Sequence, residues 1–321
     1  MLVTPQASGL LGIAAPGSAP PTVNAGTVSN KGVEVSFAYN DNLTEDLTFN
    51  VGFNVSTIEN EVLFVASENG FEQGGDWGVG LGVIPSRMEA GYPIGYFYGY
   101  QTNGIYQNQS EIDALDALAF DADGKEIEYH KGAKVGDLKF VDMDGNGFIS
   151  DEDKTYLGDP IPDFTMGFNL GFNYKDFDFS TSAYASIGND MVRDYERQAA
   201  GVNKGTYVYD RWRGEGTSVT VPRASDGSSI NYMNFSDFFV EDASYLRIQN
   251  VQVGYTASKG LTSRLGMESL RMYVSVNNLF TFTNYYGFDP SASGGSPIGA
   301  GIDKGYYPVS RSFQFGFNIT L

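Results

Sequence analysis

The last ten residues of the chain, 312–321, alternate strictly between apolar and small or polar side chains. The apolar positions are Phe313, Phe315, Phe317, Ile319 and Leu321. Because successive side chains of a β-strand point to opposite faces, this segment would form a strand with one apolar and one polar face. About ten residues is also the length that a tilted strand needs to cross a bilayer. The segment therefore predicts a membrane-spanning β-strand.

The same alternation recurs in several other segments. Clear examples cover residues 33–39, 47–55, 164–174, 177–187 and 270–276, with less regular ones at 96–106 and 245–255. Together with the terminal strand they give about eight strands. A short turn at Lys175 and Asp176 contrasts with the long connection 188–242, and outer-membrane barrels have short turns at one end and long loops at the other. The sequence predicts an all-β fold, an antiparallel transmembrane β-barrel.

Two local features predict how the strands are joined and aligned. The linker 40–46 is rich in Asn and Asp, so the strands on either side of it are predicted to form a hairpin. In segment 245–255 the apolar residues Leu246 and Ile248 follow one phase, whereas Val251 and those after it follow the other. This change of phase predicts a β-bulge or a rim crossing near Asn250.

The polar side of the alternating segments separates a barrel from a soluble β-sandwich. It consists mostly of Asn, Ser, Thr, Gly and Gln, whereas the solvent face of a sandwich usually carries Lys and Glu. Neutral polar side chains suit a barrel lumen, and a mean hydropathy of −0.23 agrees, because half of a barrel strand faces that lumen. The pattern therefore favours a barrel, with a soluble sandwich as the alternative.

Charge and residue counts exclude several classes of function. The formal net charge of −19 argues against nucleic acid as a partner. Without cysteine and with a single histidine, His130, the chain has no thiolate or multi-histidine metal site, and a Ser-His-Asp triad is disfavoured. No pair among the 39 acidic residues stands out as a catalytic dyad. The sequence thus predicts a non-enzyme, with His130 as an ordinary loop residue.

The N-terminal segment, residues 1–25, is rich in Ala, Pro, Gly and Ser. No Lys or Arg precedes its apolar part, which Pro5 interrupts, so it lacks the charged start of a signal peptide. An exported protein without such a signal suggests an incomplete chain. Met1 is accordingly interpreted as an internal methionine or as a start assigned within a longer reading frame.

Segment 142–153 matches the spacing of a calcium-binding loop. Oxygen ligands at positions one, three, five, seven and twelve would come from Asp142, Asp144, Asn146, the backbone carbonyl of Phe148, and Asp153. The last position usually holds a bidentate Glu, and the shorter Asp predicts a modest affinity of ~10⁻⁴–10⁻³ M and a structural rather than a sensory role. The alternative is an Asp-, Asn- and Gly-rich surface turn without a metal.

Three other motifs lie in the connections. The Gly-rich stretch 74–82 does not join a strand to a helix in a βαβ unit, so it is interpreted as a flexible loop rather than a nucleotide site. In segment 210–213, Trp212 could stack on a sugar ring while Arg211 and Arg213 bind a carboxylate; the alternative is a loop anchored by a buried Trp. Segment 190–200 is predicted to form a short helix.

An aromatic cluster within segment 96–106 consists of Tyr96, Phe97, Tyr98 and Tyr100. Outer-membrane barrels carry girdles of aromatic side chains at both membrane interfaces. The cluster is therefore predicted to form part of such a girdle at the barrel rim, with a ligand platform as the alternative.

Several runs follow one another in a characteristic order. They are NKGVEV at 30–35, GYPIGYFYGY at 91–100, GDLKF at 136–140, LGDPIPDF at 157–164, DASYLR at 242–247, VNNLF at 276–280 and GFDP at 287–290. In order and spacing, these runs resemble the C-terminal part of SusC/RagA-like TonB-dependent outer-membrane receptors. The resemblance covers nearly the whole chain, from about residue 26 to residue 321.

This resemblance implies a bacterial outer-membrane location and a ~22-stranded barrel with a plugged lumen. Such receptors import oligosaccharides or peptides with energy supplied through the TonB complex, and a SusD-like lipoprotein covers them as a lid. Residues 1–321 would be a C-terminal barrel portion without the plug or TonB box. Residues 136–160, which contain the calcium-type loop, would lie in an extracellular or rim connection. The terminal strand would be the signal for the barrel-assembly machinery, although Leu321 stands where Phe is usual.

Two rival interpretations stay open at this point. The first is a complete small eight-stranded outer-membrane barrel with a structural or adhesive role. The long connection 188–242 and the missing signal peptide disfavour it. The second is a secreted calcium-binding β-sandwich that recognises carbohydrate. The apolar terminal strand disfavours that reading, because such an edge on a soluble protein promotes aggregation.

Overall fold

The structure, a computed structural model, describes residues 2–3, 23–24, 26–75, 77–78, 83–196, 203–225 and 228–321. Its strands are β1 (Leu2–Val3), β2 (Val23–Asn24), β3 (Gly26–Asn42), β4 (Leu47–Val65), β5 (Phe71–Gly74), β6 (Ser86–Glu89), β7 (Tyr96–Tyr100), β8 (Thr102–Ile105), β9 (Leu138–Phe140), β10 (Lys154–Gly158), β11 (Phe164–Tyr174), β12 (Phe177–Ile187), β13 (Asp190–Arg193), β14 (Val240–Asp242), β15 (Tyr245–Thr256), β16 (Ser269–Thr283), β17 (Ile302–Asp303) and β18 (Ser312–Thr320). The α-helices are α1 (Gln109–Asp116), α2 (Ile230–Met233) and α3 (Lys259–Arg264), and short 3-10 helices cover Asp151–Asp153, Thr206–Asp210, Asp237–Phe239 and Pro297–Gly299.

Most of segment 1–25 lies outside the described residues, and the interpretation of Met1 lies outside them too. In the part of the chain that the structure describes, no helix is both long and apolar enough to cross a membrane.

Seven strands form one antiparallel sheet, in the order β18-β16-β15-β12-β11-β4-β3. All the predicted alternating segments except 96–106 lie in it, which confirms the all-β antiparallel fold. The predicted hairpin joins β3 to β4 through residues 43–46. Between β11 and β12, Lys175 has a φ of 53°, and this left-handed conformation allows the predicted short turn.

The predicted bulge in β15 is present. Ile248 and Asn250 pair with consecutive residues of β12, so Gln249 between them has no partner on that strand. The register towards β16 shifts at the same place. One extra residue reverses the side to which the following side chains point, which explains the change of phase along β15.

One face of this sheet is apolar and exposed. Phe37 on β3 is opposite Phe53 on β4, which is opposite Phe168 on β11, and all three side chains are exposed. On the edge strand β18, the exposed fractions of Phe313 and Phe315 are 72% and 69%. A continuous apolar surface of this kind suits contact with lipid hydrocarbon.

The opposite face carries small polar side chains that bond to one another across the strands. The hydroxyls of Ser56 and Thr165 lie 2.9 Å apart. Further along the sheet, the amide of Asn250 donates to Ser275 at 3.0 Å and to Asn277 at 2.7 Å. These cross-strand pairs fix the register of the sheet while they keep its inner face polar, as a lumen requires.

Three long connections leave the sheet at the same end, because neighbouring strands are antiparallel. The other end carries the two short turns and the connection that contains α3. The described residues of the long connections are called the cap below. The cap consists of the first connection (66–163), the second connection (188–244) and the third connection (284–311).

A hydrophobic core joins the three connections of the cap. Its buried members are Trp77 and Phe97 from the first connection, Val192, Phe235 and Phe239 from the second, and Ile302 from the third. Strand β13 of the second connection also pairs in parallel with β17 of the third. Since each connection supplies part of one core, the cap is one packed body rather than three independent loops.

Segment 96–106 belongs to this cap, so its predicted place in the barrel was wrong. It forms β7, within the four-stranded sheet β10-β7-β6-β5, and β8, which pairs with β9. Tyr96, Phe97 and Tyr100 are buried, and the Arg87 guanidinium covers the Tyr98 ring at 3.6 Å. The rim girdle and ligand-platform interpretations are therefore wrong as well, because these rings pack inside the cap instead of facing lipid or ligand.

The predicted helix over 190–200 was also wrong where the structure describes it. Residues Asp190–Arg193 form strand β13, between β14 and β17. Residues 197–200 lie outside the described part of the chain. Tertiary pairing with two strands outweighs the weak helical preference of this short segment.

Candidate functional site

The calcium-type loop lies in the first connection of the cap, between β9 and β10. It brings Asp142, Asp144 and Asp153 together, with one candidate ligand oxygen of each within 4.8 Å of the others. Asp153 is fully buried, Asp142 is half-buried and Asp144 is exposed. Three of the predicted ligand residues thus converge at one side of the loop.

Backbone donors hold two of these carboxylates in place. Asp142 accepts hydrogen bonds from the backbone N–H groups of Gly145 at 2.7 Å and Gly147 at 2.9 Å. Both glycines have positive φ, 74° and 92°, a conformation that side chains with a Cβ adopt rarely. Asp153 accepts from the N–H groups of Met143 and Ser150, each at 2.7 Å. The loop therefore orders its acidic side chains through its own backbone.

The two other predicted ligands are placed less directly. The Asn146 amide donates to Asp144 at 2.9 Å, while its oxygen accepts the N–H of Phe148 at 3.0 Å. Asn146 therefore contacts the carboxylate group through its nitrogen, and its oxygen would have to turn to reach a cation. Phe148 follows two residues later in the same loop and is half-buried.

The electrostatics of the loop favour a bound cation. Three carboxylates that share one site repel one another, and a hard cation such as calcium relieves this with oxygen ligands at about 2.3–2.6 Å. Tyr129 contacts the loop, since its backbone carbonyl accepts the N–H of Ile149 at 2.6 Å. Burial raises the pKa of the Tyr129 phenol, and the negative charges of Asp142 and Asp153 raise it further.

His130 lies in the loop between α1 and β9, where its side chain is buried, which the sequence did not indicate. Its ring packs against Phe140 with a centroid distance of 4.8 Å. Among the described residues, neither ring nitrogen has a hydrogen-bond partner. Burial therefore lowers the pKa of His130 to about 4, so the imidazole is neutral at pH 7.

The three weak ligand candidates of segment 210–213 have different surroundings. Trp212 is half-buried against the core of the first connection, and its indole N–H donates to Gln107 at 3.3 Å. Trp212 thus anchors its loop, as the alternative to a sugar-stacking role predicted. Arg213 is exposed and donates to the carbonyl of Tyr209. Arg211 lines a cavity in the cap.

This cavity has a volume of about 230 Å³ and lies within the second connection of the cap. Three basic and three aromatic side chains dominate its lining: Lys204, Arg211, Arg223, Tyr207, Tyr232 and Phe238. The sequence interpretation missed all of these except Arg211. The available signal was the recurrence of Lys and Arg beside Tyr in a long connection of an otherwise acidic chain.

The Gly-rich stretch 74–82 is only partly described. Gly74 ends β5, and the buried Trp77 donates its indole N–H to the carbonyl of Arg193 at 3.2 Å. Residues 76 and 79–82 lie outside the described part, and with them most of the predicted flexible loop.

Curated relatives of this chain are named as TonB-dependent receptors. It is 32% identical over 304 residues to TonB-dependent receptor P3 of Formosa agariphila, covering 92% of this chain and 29% of that protein. It is 28% identical over 299 residues to TonB-dependent receptor SusC of Bacteroides thetaiotaomicron, covering 93% of this chain and 27% of that protein. No protein-family model matches the chain.

Solved structures give the same fold. A structure of the RagAB peptide transporter superposes with a TM-score of 0.65 at 22% identity, covering 94% of this chain and 30% of the matched chain. The RagAB peptide importer in its 'closed-closed' state gives a TM-score of 0.66 over the same shares. At this level of identity, the likeness concerns the fold.

A seven-stranded antiparallel arc with an apolar outer face and a cap at one end defines part of an outer-membrane β-barrel. Its curated homologues are TonB-dependent receptors, SusC among them, which confirms the predicted SusC/RagA-like resemblance and the outer-membrane location. The chain spans less than a third of the length of these relatives. They are named as receptors, which agrees with the prediction of a non-enzyme.

Proposed function

We propose that this chain is the C-terminal barrel portion, residues 1–321, of a receptor that imports oligosaccharides or peptides across the outer membrane. The observation that carries the proposal is the 32% identity to a TonB-dependent receptor over 92% of the chain. Import would draw energy from the TonB complex, and a SusD-like lipoprotein would cover the extracellular side. The fold supports this role, since the apolar face can contact lipid and the polar face can line a lumen.

The cap would be the part that first meets the ligand and the lipoprotein. In outer-membrane barrels the long connections are extracellular and the short turns periplasmic, and the three long connections here share one end of the sheet. The calcium-type loop, residues 136–160, would then lie outside the cell. At the edge of the sheet, β18 presents Phe313, Phe315 and Phe317 on its apolar face as the proposed signal for the barrel-assembly machinery.

Import can be tested by growth. The gene for the intact receptor would be deleted, and the bacterium grown on a panel of oligosaccharides and oligopeptides as sole carbon source. We expect growth on one member of the panel to be lost, to return when the gene is restored, and to be lost also without TonB. Co-purification with the receptor would identify the lipoprotein partner. Unchanged growth across the panel would contradict the proposal.

We also propose that Asp142, Asp144 and Asp153 bind a structural calcium ion, with Asn146 and the Phe148 carbonyl as further ligands. The support is the convergence of three carboxylates within 4.8 Å on a loop ordered by its own backbone. Calcium would tie the start of the loop to the short helix Asp151–Asp153, which Ser150 caps. Its role would be to stabilise the cap.

Calcium is expected to raise the thermal unfolding temperature of the cap. At 10–100 times its Kd, a ligand that binds only the folded state stabilises by about 1.4–2.7 kcal/mol. Asp144→Ala should abolish this shift, because it removes one of the three converging carboxylates. The substitution should leave the loop folded, since Asp144 is exposed and, among the described residues, its carboxylate bonds only to Asn146. The matched control is Asp123→Ala, an exposed aspartate in a neighbouring turn. Equal shifts in both variants, measured by calorimetry with and without EGTA, would disprove the site.

A further inference from the structure

The cavity in the second connection is basic, although the chain as a whole is strongly acidic. Lys204, Arg211 and Arg223 line it, and no Asp or Glu is among the described residues that do so. The chain carries 39 acidic and 20 basic residues, so three cations around one cavity of about 230 Å³ are not expected from composition. A pocket with several positive charges and few negative ones favours an anionic group.

The charge of the cavity is only partly neutralised by its surroundings. Arg223 forms an ion pair with Asp137 at 2.8 Å, and Asp137 itself does not line the cavity. Burial lowers the pKa of Lys204, and the charge of the neighbouring Glu196 partly offsets this effect. Arg211 donates one guanidinium nitrogen to the carbonyl of Val208 at 3.0 Å. An arginine has five N–H donors, so Arg211 retains donors that can bind a planar or tetrahedral anion.

The aromatic walls are held in fixed positions. Tyr207 lies under the Arg193 guanidinium at 4.4 Å and meets Phe238 edge-on at 6.2 Å. The Tyr232 ring lies 6.0 Å from that of Phe239, which belongs to the cap core. Rings that are positioned by packing can stack on the apolar face of a sugar without a large loss of side-chain entropy.

The shape of the cavity favours a sugar over an extended peptide. A peptide that adds to a sheet needs an unpaired strand edge. The lining residues instead lie on the 3-10 helices Thr206–Asp210 and Asp237–Phe239, on helix α2 and in irregular segments, which hold Lys204, Arg211 and residues 221–225. Binding pockets for drug-sized ligands measure about 300–1,000 Å³, so this smaller cavity would hold one unit of a longer ligand.

We propose that this cavity binds an anionic sugar unit, through its carboxylate or sulfate group, within the oligosaccharide that the receptor imports. The inference rests on the proposed import function and narrows its substrate class. Arg211 and Lys204 would bind the anionic group, and Tyr207 and Tyr232 would contact the ring. Ligand selection would thus begin in the cap, before the ligand enters the lumen.

The test compares Arg211→Ala with Arg213→Ala in the intact receptor. Arg213 is the matched control, since it is an arginine two residues away that is exposed and does not line the cavity. Binding would be measured by calorimetry in detergent with three probes: trigalacturonate, a sulfated galactan trisaccharide and neutral galactotriose. The first two probes distinguish a carboxylate from a sulfate ester. An acidic tripeptide would serve as a non-sugar anion.

We expect one anionic sugar to bind at least tenfold more tightly than galactotriose. Arg211→Ala should weaken it by about tenfold or more, as loss of a charged hydrogen bond does, whereas Arg213→Ala should change it less than twofold. Equal effects of the two substitutions, no preference for either anionic sugar, or tighter binding of the acidic tripeptide would overturn the inference. Growth assays on the same variants distinguish a failure of this inference from a failure of the proposed import function. If the cavity has no role in ligand binding, import and growth persist in both variants.

Discussion

Replacing Phe97 by alanine is expected to unfold the cap while the seven-stranded sheet stays folded. Phe97 is fully buried in the core to which all three long connections contribute. Removing a buried Phe side chain typically costs about 3–5 kcal/mol, from lost burial and from the cavity left behind. The strands of the sheet are held instead by their own backbone ladders and cross-strand pairs. The loss should therefore be local.

Two measurements on the intact receptor distinguish the cap from the barrel. Amide hydrogen exchange should rise across β7, β13 and β17 in Phe97→Ala, while the heat-modifiable migration of the folded barrel on a gel stays unchanged. Phe288→Ala is the control, since Phe288 also lies in the cap but is 66% exposed. If exchange rises only around β7, the three connections fold independently, and the description of the cap as one body is incorrect.

The strands of the sheet could be predicted because their evidence is local. Each carries the two-residue alternation in its own sequence, and even the bulge near Asn250 shows as a change of phase. The turns at residues 43–46 and at Lys175 follow from short polar linkers. The apolar face of a membrane-spanning sheet contacts lipid rather than a protein core. Packing against neighbouring elements therefore does not alter the two-residue alternation.

The cap could not be predicted in the same way because its contacts are distant in sequence. Trp77, Val192 and Ile302 share one core although more than a hundred residues separate each from the next. The run from Tyr96 to Tyr100 is rich in aromatic residues, as a barrel girdle is, yet both of its faces are covered by other parts of the cap. An aromatic-rich run therefore indicates a strand but does not identify the sheet to which the strand belongs.

The candidate sites differ in the same way, because only the one built from neighbouring residues could be predicted. Asp142, Asp144 and Asp153 lie in one loop, so their spacing alone predicted that they would converge. The basic cavity combines residues from 204 to 238, and only Arg211 among the predicted ligand candidates lines it. Nothing local to His130 indicated its burial, because Phe140 and Tyr106, which flank its ring, come from other segments of the first connection.

The burial of His130 leads to a second large effect, a loss of cap stability in mild acid. In the unfolded chain a histidine takes up a proton below about pH 6.5, whereas the folded protein keeps His130 neutral until about pH 4. Between these values the unfolded state binds more protons, so stability rises with pH across this window and falls as the pH is lowered. The full difference corresponds to roughly 3 kcal/mol.

His130→Phe is expected to remove this pH dependence, because phenylalanine fills a similar space beside Phe140 and does not titrate. The acidic groups of the cap are the same in both proteins, so their contribution cancels in the comparison. The measurement is the free energy of unfolding of the cap, from hydrogen exchange in EGTA, at several values between pH 4 and pH 7. The gap between wild type and variant should shift by a few kcal/mol across this range, in favour of the variant at low pH. Parallel curves would show that His130 takes up a proton as readily in the folded cap as in the unfolded chain, and would contradict the prediction.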